Sequence, residues 1–595
     1  MKKLLISQSN KSKNNAENLY PNFQSFFNIS EDNEIFDENI NIAKHYNESG
    51  KNIDFHLEEC DAIYNKIFPD LLKEFNNLHN TNYSVKSGHL IFGFWLQRFI
   101  RILYDRFNQL KFIFDNHNID KVKILNTENF NLSSNTSTEI IHLSSDNNWN
   151  YAIMSKIIKY FDLNKTIYED DNFRKLKKNN STSLNNYKKR NLKSILKDVL
   201  KIFNFLNFSE SSVICETYLP FFLEKKLQIK LNKVPQMWDF DFKITKKFDN
   251  QIREKLYLNR NIDKYENKLE NFIRKNIPMC LPVSFIEAFS ELSKVSKKYP
   301  KRPKLIISAT KFDSNDLFKI YSANNLELGS KIITGQHGNG SFLLPESKYS
   351  PENKFCDFYY TWGTNKNKNQ IPLFNLNALN VKNSKNAAKK LLIFTTSYGF
   401  NQLIYDKQGL NFHNINLIQE LIKTLPKNIK SSLVLKKHNA SSLNCHRFLD
   451  SRYNLLKIKM LKNVSFSKSL ESAKLSLFLY NSTGVLDCMA LNKPVIFYLK
   501  DPLNTYSKEY EKKLKLLKDA KIFFNDFKSL KKHILEIWDN IDDWWENKFT
   551  QEKIKNFNKN FNEKYSKNKF SDFYRFLKNL DHNSQLNKDE LYPLW

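Results

Sequence analysis

From residue 211 onward the chain alternates short, compact apolar runs with longer stretches of helical spacing, and this alternation constrains the fold more than any other feature. The runs are SSVIC (211–215), KLIISA (304–309), KIITG (331–335) and FYYTWG (358–363), then KKLLIFTTS (389–397), SSLVLKKH (431–438), AKLSLFLYNST (473–483), KPVIFYL (493–499) and AKIFF (520–524). Most are apolar at consecutive positions, which suits strands buried on both faces of a parallel sheet. Strands separated by helices predict an α/β protein, with a doubly wound sheet in the second half. At 595 residues the chain exceeds what one core supports. An Asn- and Lys-rich segment, 365–390, predicts the boundary between two halves.

The first two hundred residues are less regular. Residues 1–50 read as polar and irregular, and the spacing over 54–106 predicts helices. KVKIL and IIHLS (140–144) read as short strands. Residues 174–201 form a basic stretch expected to be a surface excursion, and a long helix is expected around 250–275. The tail, from HILEIWDN onward, has an amphipathic helical pattern. The expected organisation is an N-terminal α/β domain with helical insertions over 1–380, a Rossmann-like domain over 386–525, and a helical tail over 526–595.

Charge and cysteine content narrow the class of function. Lys and Arg number 93 against 63 Asp and Glu, a formal net charge of +30. One reading is an anionic partner: nucleic acid, anionic lipid or a phosphorylated donor. The other is the Lys, Asn, Ile and Phe bias of an AT-rich genome, and the dispersal of the charge along the chain agrees with it. The six cysteines lie far apart without C-x-x-C or metal-ligand spacing, which fits reduced thiols in the cytoplasm. Neither a signal peptide nor an 18-residue apolar span is apparent, so the expected location is the cytoplasm or the inner face of its membrane.

Three motifs carry candidate chemistry, each directly after an apolar strand. In Thr334-Gly335-Gln336-His337-Gly338-Asn339-Gly340, three of only 11 glycines fall within six residues. Such clustering marks positive φ or close approach to a ligand, and His337 at a strand's carboxyl end can accept a proton from a hydroxyl. A tight turn with an incidental histidine is the plainer alternative. In Tyr480-Asn481-Ser482-Thr483-Gly484-Val485-Leu486-Asp487, Ser482 and Thr483 at a strand-to-helix turn suit a phosphate, with Asp487 one turn on and within reach of a ribose. An ordinary helix cap is the alternative. Lys436-Lys437-His438-Asn439 suits a diphosphate, or is a solvated basic turn. No Walker A, G-x-G-x-x-G, D-x-D or His/Cys cluster is present. Neither a metal nor a cofactor is therefore expected.

With these motifs, the segments GFWLQRFIRILYDRF, LPVSFIEAFSEL, GSKIITGQHGNG, YYTWG, YNSTGVLDCMALNKPVIFY and IWDNIDDWWENKFTQ appear in one order. Over roughly residues 55–565 the chain resembles a family of O-antigen (surface-carbohydrate) transferases, similar in style to CDP-glycerol glycerophosphotransferases and bacterial Kdo or sialic acid transferases. The resemblance implies a GT-B architecture: two Rossmann-like α/β domains with helical additions, an active site between them, and no metal. It maps a catalytic His-Gly pair onto His337 and Gly338. A second, basic-His-Pro motif maps onto Lys437 and His438, although Asn439 stands where that motif has Pro. A phosphate-binding pair maps onto Ser482 and Thr483. Related sequences usually carry Glu where this one has Asp487.

The mechanism so implied is inverting transfer of a sugar from a nucleotide-activated donor to a saccharide or lipid-linked saccharide acceptor in surface-polysaccharide assembly, with contact to an anionic membrane surface as an accessory. His337 is the expected base and Glu287, in PVSFIEAF, a reserve. Gly338, Lys437, His438, Ser482, Thr483 and Asp487 would hold the donor. Two other readings stay open: glycerol- or ribitol-phosphate transfer in the same cleft, and a non-enzymatic basic nucleic-acid-binding protein. The absence of any recognisable binding module weighs against nucleic acid. If the transferase reading holds, His337, His438, Ser482, Thr483 and Asp487 must all open onto one groove, with His337 on the wall opposite the other four.

Overall fold

The computed structural model describes residues 3–5, 18–21, 41–47, 52–127, 131–163, 167–170, 204, 210–258, 267–338, 345–363, 368–378, 389–395, 408–437, 454, 456–461, 464–500 and 508–582. Among these, three parallel sheets are built from the apolar runs. The first joins β1 (Lys3–Leu5), β2 (Asn18–Leu19), β3 (Lys121–Leu125) and β4 (Ile167–Asp170) in the order β2-β1-β3-β4. The second joins β5 (Val213–Ile214), β6 (Leu305–Ile307), β7 (Lys331–Gly335), β8 (Phe358–Thr361) and β9 (Gln370–Pro372) in plain chain order. The third contains β10 (Lys390–Thr395), β11 (Leu433–Lys437), β12 (Lys459–Leu461), β13 (Ala473–Phe478), β14 (Val495–Tyr498) and β15 (Phe523–Phe524). Its order is β12-β11-β10-β13-β14-β15, so the chain reverses direction across the sheet between β10 and β13. That reversal opens a crevice at the strands' carboxyl ends, the place where α/β sheets bind ligands.

Burial explains the continuous apolar runs. In β10, Leu391 and Ile393 point into one core and Leu392 and Phe394 into another, as a period of two requires. On the first of those faces lie the helices Gln408–Thr424 and Phe527–Ile537. The second face shares its core with the five-stranded sheet, through Ile307, Ile333, Phe358 and Tyr360. The two halves of the chain therefore share one continuous core. Its remaining walls are C-terminal helices: Lys548–Phe561 supplies Ile554 and Phe557, and Lys567–His582 supplies Phe573 and Leu577. These helices return to the five-stranded sheet, where Phe576 meets Phe358 edge-on at 5.1 Å and Glu563 N–H donates to the Trp362 carbonyl.

Between β2 and β3 run two long helices, α1 (Ile53–His79) and α2 (Val85–Asn116). In α1, buried Leu57, Cys60, Tyr64, Ile67, Leu71 and Phe75 recur at three and four residues, the stripe of a one-faced helix. It stops at Asn80, whose left-handed φ of 50° turns the chain, and Ser84 then caps α2 by accepting from Ser87 N–H at 3.3 Å. The two helices lock through Tyr64 Oη and His89 Nδ1, 2.8 Å apart, with the His89 ring stacked on Phe68 at 3.7 Å.

Several local expectations are corrected. IIHLS is the short helix Ile140–Leu143, not a strand. Asp316 binds the backbone N–H and hydroxyl of Ser137, fixing the turn Ser137–Glu139 from which that helix starts, and of the four helical residues only Ile140 is buried. No single helix spans 250–275. Asp249 caps a one-turn helix, Asn250–Arg253, and Asn267 caps a separate one, Lys268–Cys280. The segment 365–390, expected to hold the domain boundary, contains β9. Residues 1–50 supply β1 and β2. The basic stretch 174–201 lies outside the described residues. Among the described residues no helix is long and apolar enough to cross a membrane.

Candidate active site

All five strands of the second sheet are parallel, so their carboxyl ends and the loops that follow lie along one edge. His337 follows β7 on that edge. Gly335, which ends the strand, permits the close packing: a Cβ there would overlap the ring of Tyr360 on β8. Gln336 then anchors the loop. Its side-chain oxygen accepts from Trp362 N–H at 2.8 Å and its amide donates to the Gly338 carbonyl at 3.0 Å. With Gln336 buried, His337 is turned outward to solvent at the mouth of the edge.

Behind His337 is a charged cluster. Arg98 of α2 grips Asp313 with two nitrogens, each 2.6 Å from a carboxylate oxygen. Burial alone would raise the Asp313 carboxyl, but the Arg98 guanidinium overrides it and holds the group below the usual carboxylate range. Glu352 accepts from Thr334 Oγ1 at 3.1 Å, and burial, helped by the charge on Asp313, pushes its carboxyl up to about 8. His337 itself is held below its ordinary value by desolvation, and Asp313 acts in the opposite direction. The neutral imidazole, the form that accepts a proton, is therefore favoured at neutral pH.

Next to His337 is the loop after β5. Thr217 is buried and pinned: its N–H and hydroxyl donate to Glu224 at 3.1 and 2.8 Å, and its carbonyl accepts from Tyr360 Oη at 2.8 Å. The residues on either side of it, Glu216 and Tyr218, take left-handed backbone angles, φ 48° and 64°. For residues with side chains such angles cost about 1–3 kcal/mol each and persist where the surroundings impose them, commonly at functional sites. The ring of Tyr218 lies 5.9 Å from that of His337, tilted by 40°.

From the other half comes the turn after β13, the strand bordering the reversal point of the six-stranded sheet. Ser482 caps the helix Thr483–Ala490 by accepting from Gly484 N–H at 3.1 Å. This turn touches the His337 loop, since a Cβ built on Gly338 would stand 3.1 Å from Thr483 Oγ1. Two segments 145 residues apart in the chain, each at the carboxyl edge of its own sheet, thus meet.

The other expected site residues fare differently. Asp487 does not open onto this edge. It is 6% exposed and accepts from Asn375 Nδ2 at 2.9 Å, in a network where Asn375 also binds Asn562 and Asn562 donates to the Leu486 carbonyl. Burial raises its carboxyl to about 7. One helical turn past the N-cap, its side chain faces the core rather than this edge. Glu287 lies away from this edge in a buried ion pair: Arg253 holds both its oxygens at 2.6 and 2.9 Å, and both side chains are buried. Lys437 ends β11, paired in register with Thr395 of β10. His438 lies outside the described residues. The residues that sequence reasoning missed are Tyr218, Gln336, Arg98, Asp313 and Glu352. For Tyr218 a signal existed, because CETYLP follows a strand as directly as the His337 motif does.

A model of the LIC12162 family transferase matches residues 6–573, nearly the whole chain. No curated protein matches. Among solved structures, the chain is similar to a Listeria monocytogenes protein assigned as UDP-N-acetylglucosamine 2-epimerase, at 10% identity and a TM-score of 0.32, covering 49% of this chain and 76% of that one. It is also similar to the S. aureus MnaA–UDP co-structure, at 12% identity and a TM-score of 0.32, covering 51% of this chain and 80% of the other. At such scores these likenesses carry no weight for the site.

Proposed function

Because the chain belongs to the LIC12162 family of transferases, we propose that it is a metal-independent glycosyltransferase, moving a sugar from a nucleotide-activated donor to a surface-polysaccharide acceptor. In this reading residues 1–380 form the acceptor side, 386–525 the donor side, and 526–595 a C-terminal helical tail, in a GT-B arrangement. The observation that carries it is the meeting of the His337–Gly338 loop with the Ser482–Thr483 turn. One loop presents a base. The other presents a helix N-terminus, with its hydroxyls, to the donor's phosphates.

The reaction uses these parts in one displacement. The acceptor oxygen bonds to the anomeric carbon as the bond from that carbon to the donor phosphate oxygen breaks. The hydroxyl proton passes to the neutral His337 imidazole, and the leaving electron pair remains on the nucleotide phosphate. The positive end of the helix Thr483–Ala490 and Lys437 stabilise that charge. Asp313 favours the imidazolium formed, opposing the desolvation that keeps the resting ring neutral.

The test is product analysis with CMP-, UDP-, GDP- and dTDP-sugars, and with CDP-glycerol and CDP-ribitol, using His337→Ala as control. Release of nucleotide with a sugar appearing on a saccharide acceptor, dependent on His337, supports the reading. Release of CMP from CDP-glycerol or CDP-ribitol, and turnover of no sugar donor, would replace it with phosphotransfer.

A further inference from the structure

In the transfer reaction an acceptor must be held against His337. The loop after β5 does two things that packing alone does not require. It keeps Glu216 and Tyr218 in left-handed backbone, where glycine is the unstrained choice, and it uses the strain to aim side chains outward. Thr217, between them, faces inward and is held by Glu224 and Tyr360, while Ala309 N–H fixes the Glu216 carbonyl at 3.0 Å. The outward pair are half open to water: Tyr218 is 41% exposed, a large ring left uncovered beside His337. Glu216 receives Thr310 Oγ1 at 2.8 Å and Lys311 Nζ at 3.0 Å, which set its carboxylate in one orientation at the rim.

An exposed aromatic ring with a fixed carboxylate at its side matches one class of ligand. A pyranose ring has an apolar face of C–H groups, which packs on an aromatic ring, and a girdle of hydroxyls, which donate to a carboxylate. We propose that the Glu216–Tyr218 loop is the acceptor-saccharide subsite, with Tyr218 stacking on a pyranose and Glu216 accepting from its hydroxyls, so that a neighbouring hydroxyl is presented to His337. The inference rests on the reading of His337 as the base, and it names the acceptor's class: a pyranoside rather than a polyol phosphate or a lipid headgroup.

Saturation-transfer NMR on the full chain tests it, with methyl glycosides of glucose, galactose, mannose and N-acetylglucosamine as probes. Transfer to the ring C–H protons of at least one glycoside is expected in the wild type and in Tyr218→Phe, which keeps the ring. In Tyr218→Gly the signal should fall about tenfold, the upper range of an aromatic stacking contact. The thermal transition of Tyr218→Gly should stay within a few degrees of wild type, because relief of the strained φ offsets the lost ring packing and the entropy glycine adds to the unfolded chain; loss of signal therefore reports the ring and not the fold. Equal signal in Tyr218→Gly, or no glycoside binding to the wild type, overturns the subsite. Thermal shifts with nucleotides on the same samples keep the two claims apart. Nucleotide binding without glycoside binding sinks this inference alone, and glycoside binding at Tyr218 without any nucleotide response sinks the donor reading alone.

Discussion

His337 owes its properties to its neighbours more than to its own position. Gln336 fixes the loop, Tyr218 leans on the ring, and desolvation lowers the imidazole against the pull of Asp313. Replacement by alanine removes a side chain open to solvent, so the thermal transition should stay within a few degrees of wild type while turnover falls about 10²–10⁴-fold. The sign of the pH dependence follows from the lowered value. A base works in its neutral form, so activity should rise with pH and level off with a midpoint below 6.5, the ordinary histidine value. A kcat/KM profile whose acid limb falls above pH 7 would contradict the assignment. Of the site, the sequence disclosed the strand-end motifs, because glycine clustering and strand-end position are local features. Arg98, Asp313 and Glu352 were illegible, since they come from three separate segments and acquire meaning only when α2 brings Arg98 to Asp313 and β7 brings Thr334 to Glu352.

At the scale of elements, the helix Thr483–Ala490 combines two roles that sequence spacing could not separate. Its first residue, Thr483, meets the His337 loop and its second turn faces the core, so Asp487, read from spacing as a ribose ligand, belongs to the buried Asn375–Asn562 network. Its folded-state value of about 7 lies above the ordinary 3.8, so the folded state binds the proton more tightly. That contribution to stability is complete below about pH 4 and is lost as pH rises through 7. Asp487→Asn keeps an acceptor for Asn375 without the ionisation. It should raise the melting temperature at pH 8, change it little at pH 5, and leave nucleotide affinity unaltered; weakened nucleotide binding would restore the ribose role. Strands such as Lys390–Thr395 were legible because burial on both faces writes a continuous apolar run. Strands Lys3–Leu5 and Asn18–Leu19 were not, because two or three residues carry no periodicity and Lys121–Leu125, which joins them to the sheet through Lys3–Leu5, lies about a hundred residues away. IIHLS failed for the related reason that a four-residue apolar run suits either element.

Considered as a whole, the molecule is held in one arrangement by helices that leave the second half and pack on the first. Gly363 is one point of that contact: a Cβ there would collide with the backbone of Asn560. Backbone cannot rotate away as a side chain can, so Gly363→Ala should destabilise by about 1–3 kcal/mol or more and lower transfer together with the melting temperature, as measured by thermal unfolding. The same substitution on an exposed surface would be nearly silent.

The central claim is that a nucleotide-activated donor binds at the Ser482–Thr483 turn, facing His337 across the junction of the two halves. Thermal shift with CMP, CDP, UDP, GDP and dTDP, on the wild type, on Ser482→Ala/Thr483→Ala and on His337→Ala, tests it most directly, because a ligand that binds only the folded state raises the transition with occupancy. One nucleotide class should stabilise the wild type and His337→Ala alike. Its shift should shrink in the double variant, beyond the loss of about 0.5–2 kcal/mol that removal of the Ser482 cap itself brings. Equal nucleotide shifts in the double variant and the wild type, each measured against its own unliganded transition, would contradict the account, as would a wild type that responds to none of the five.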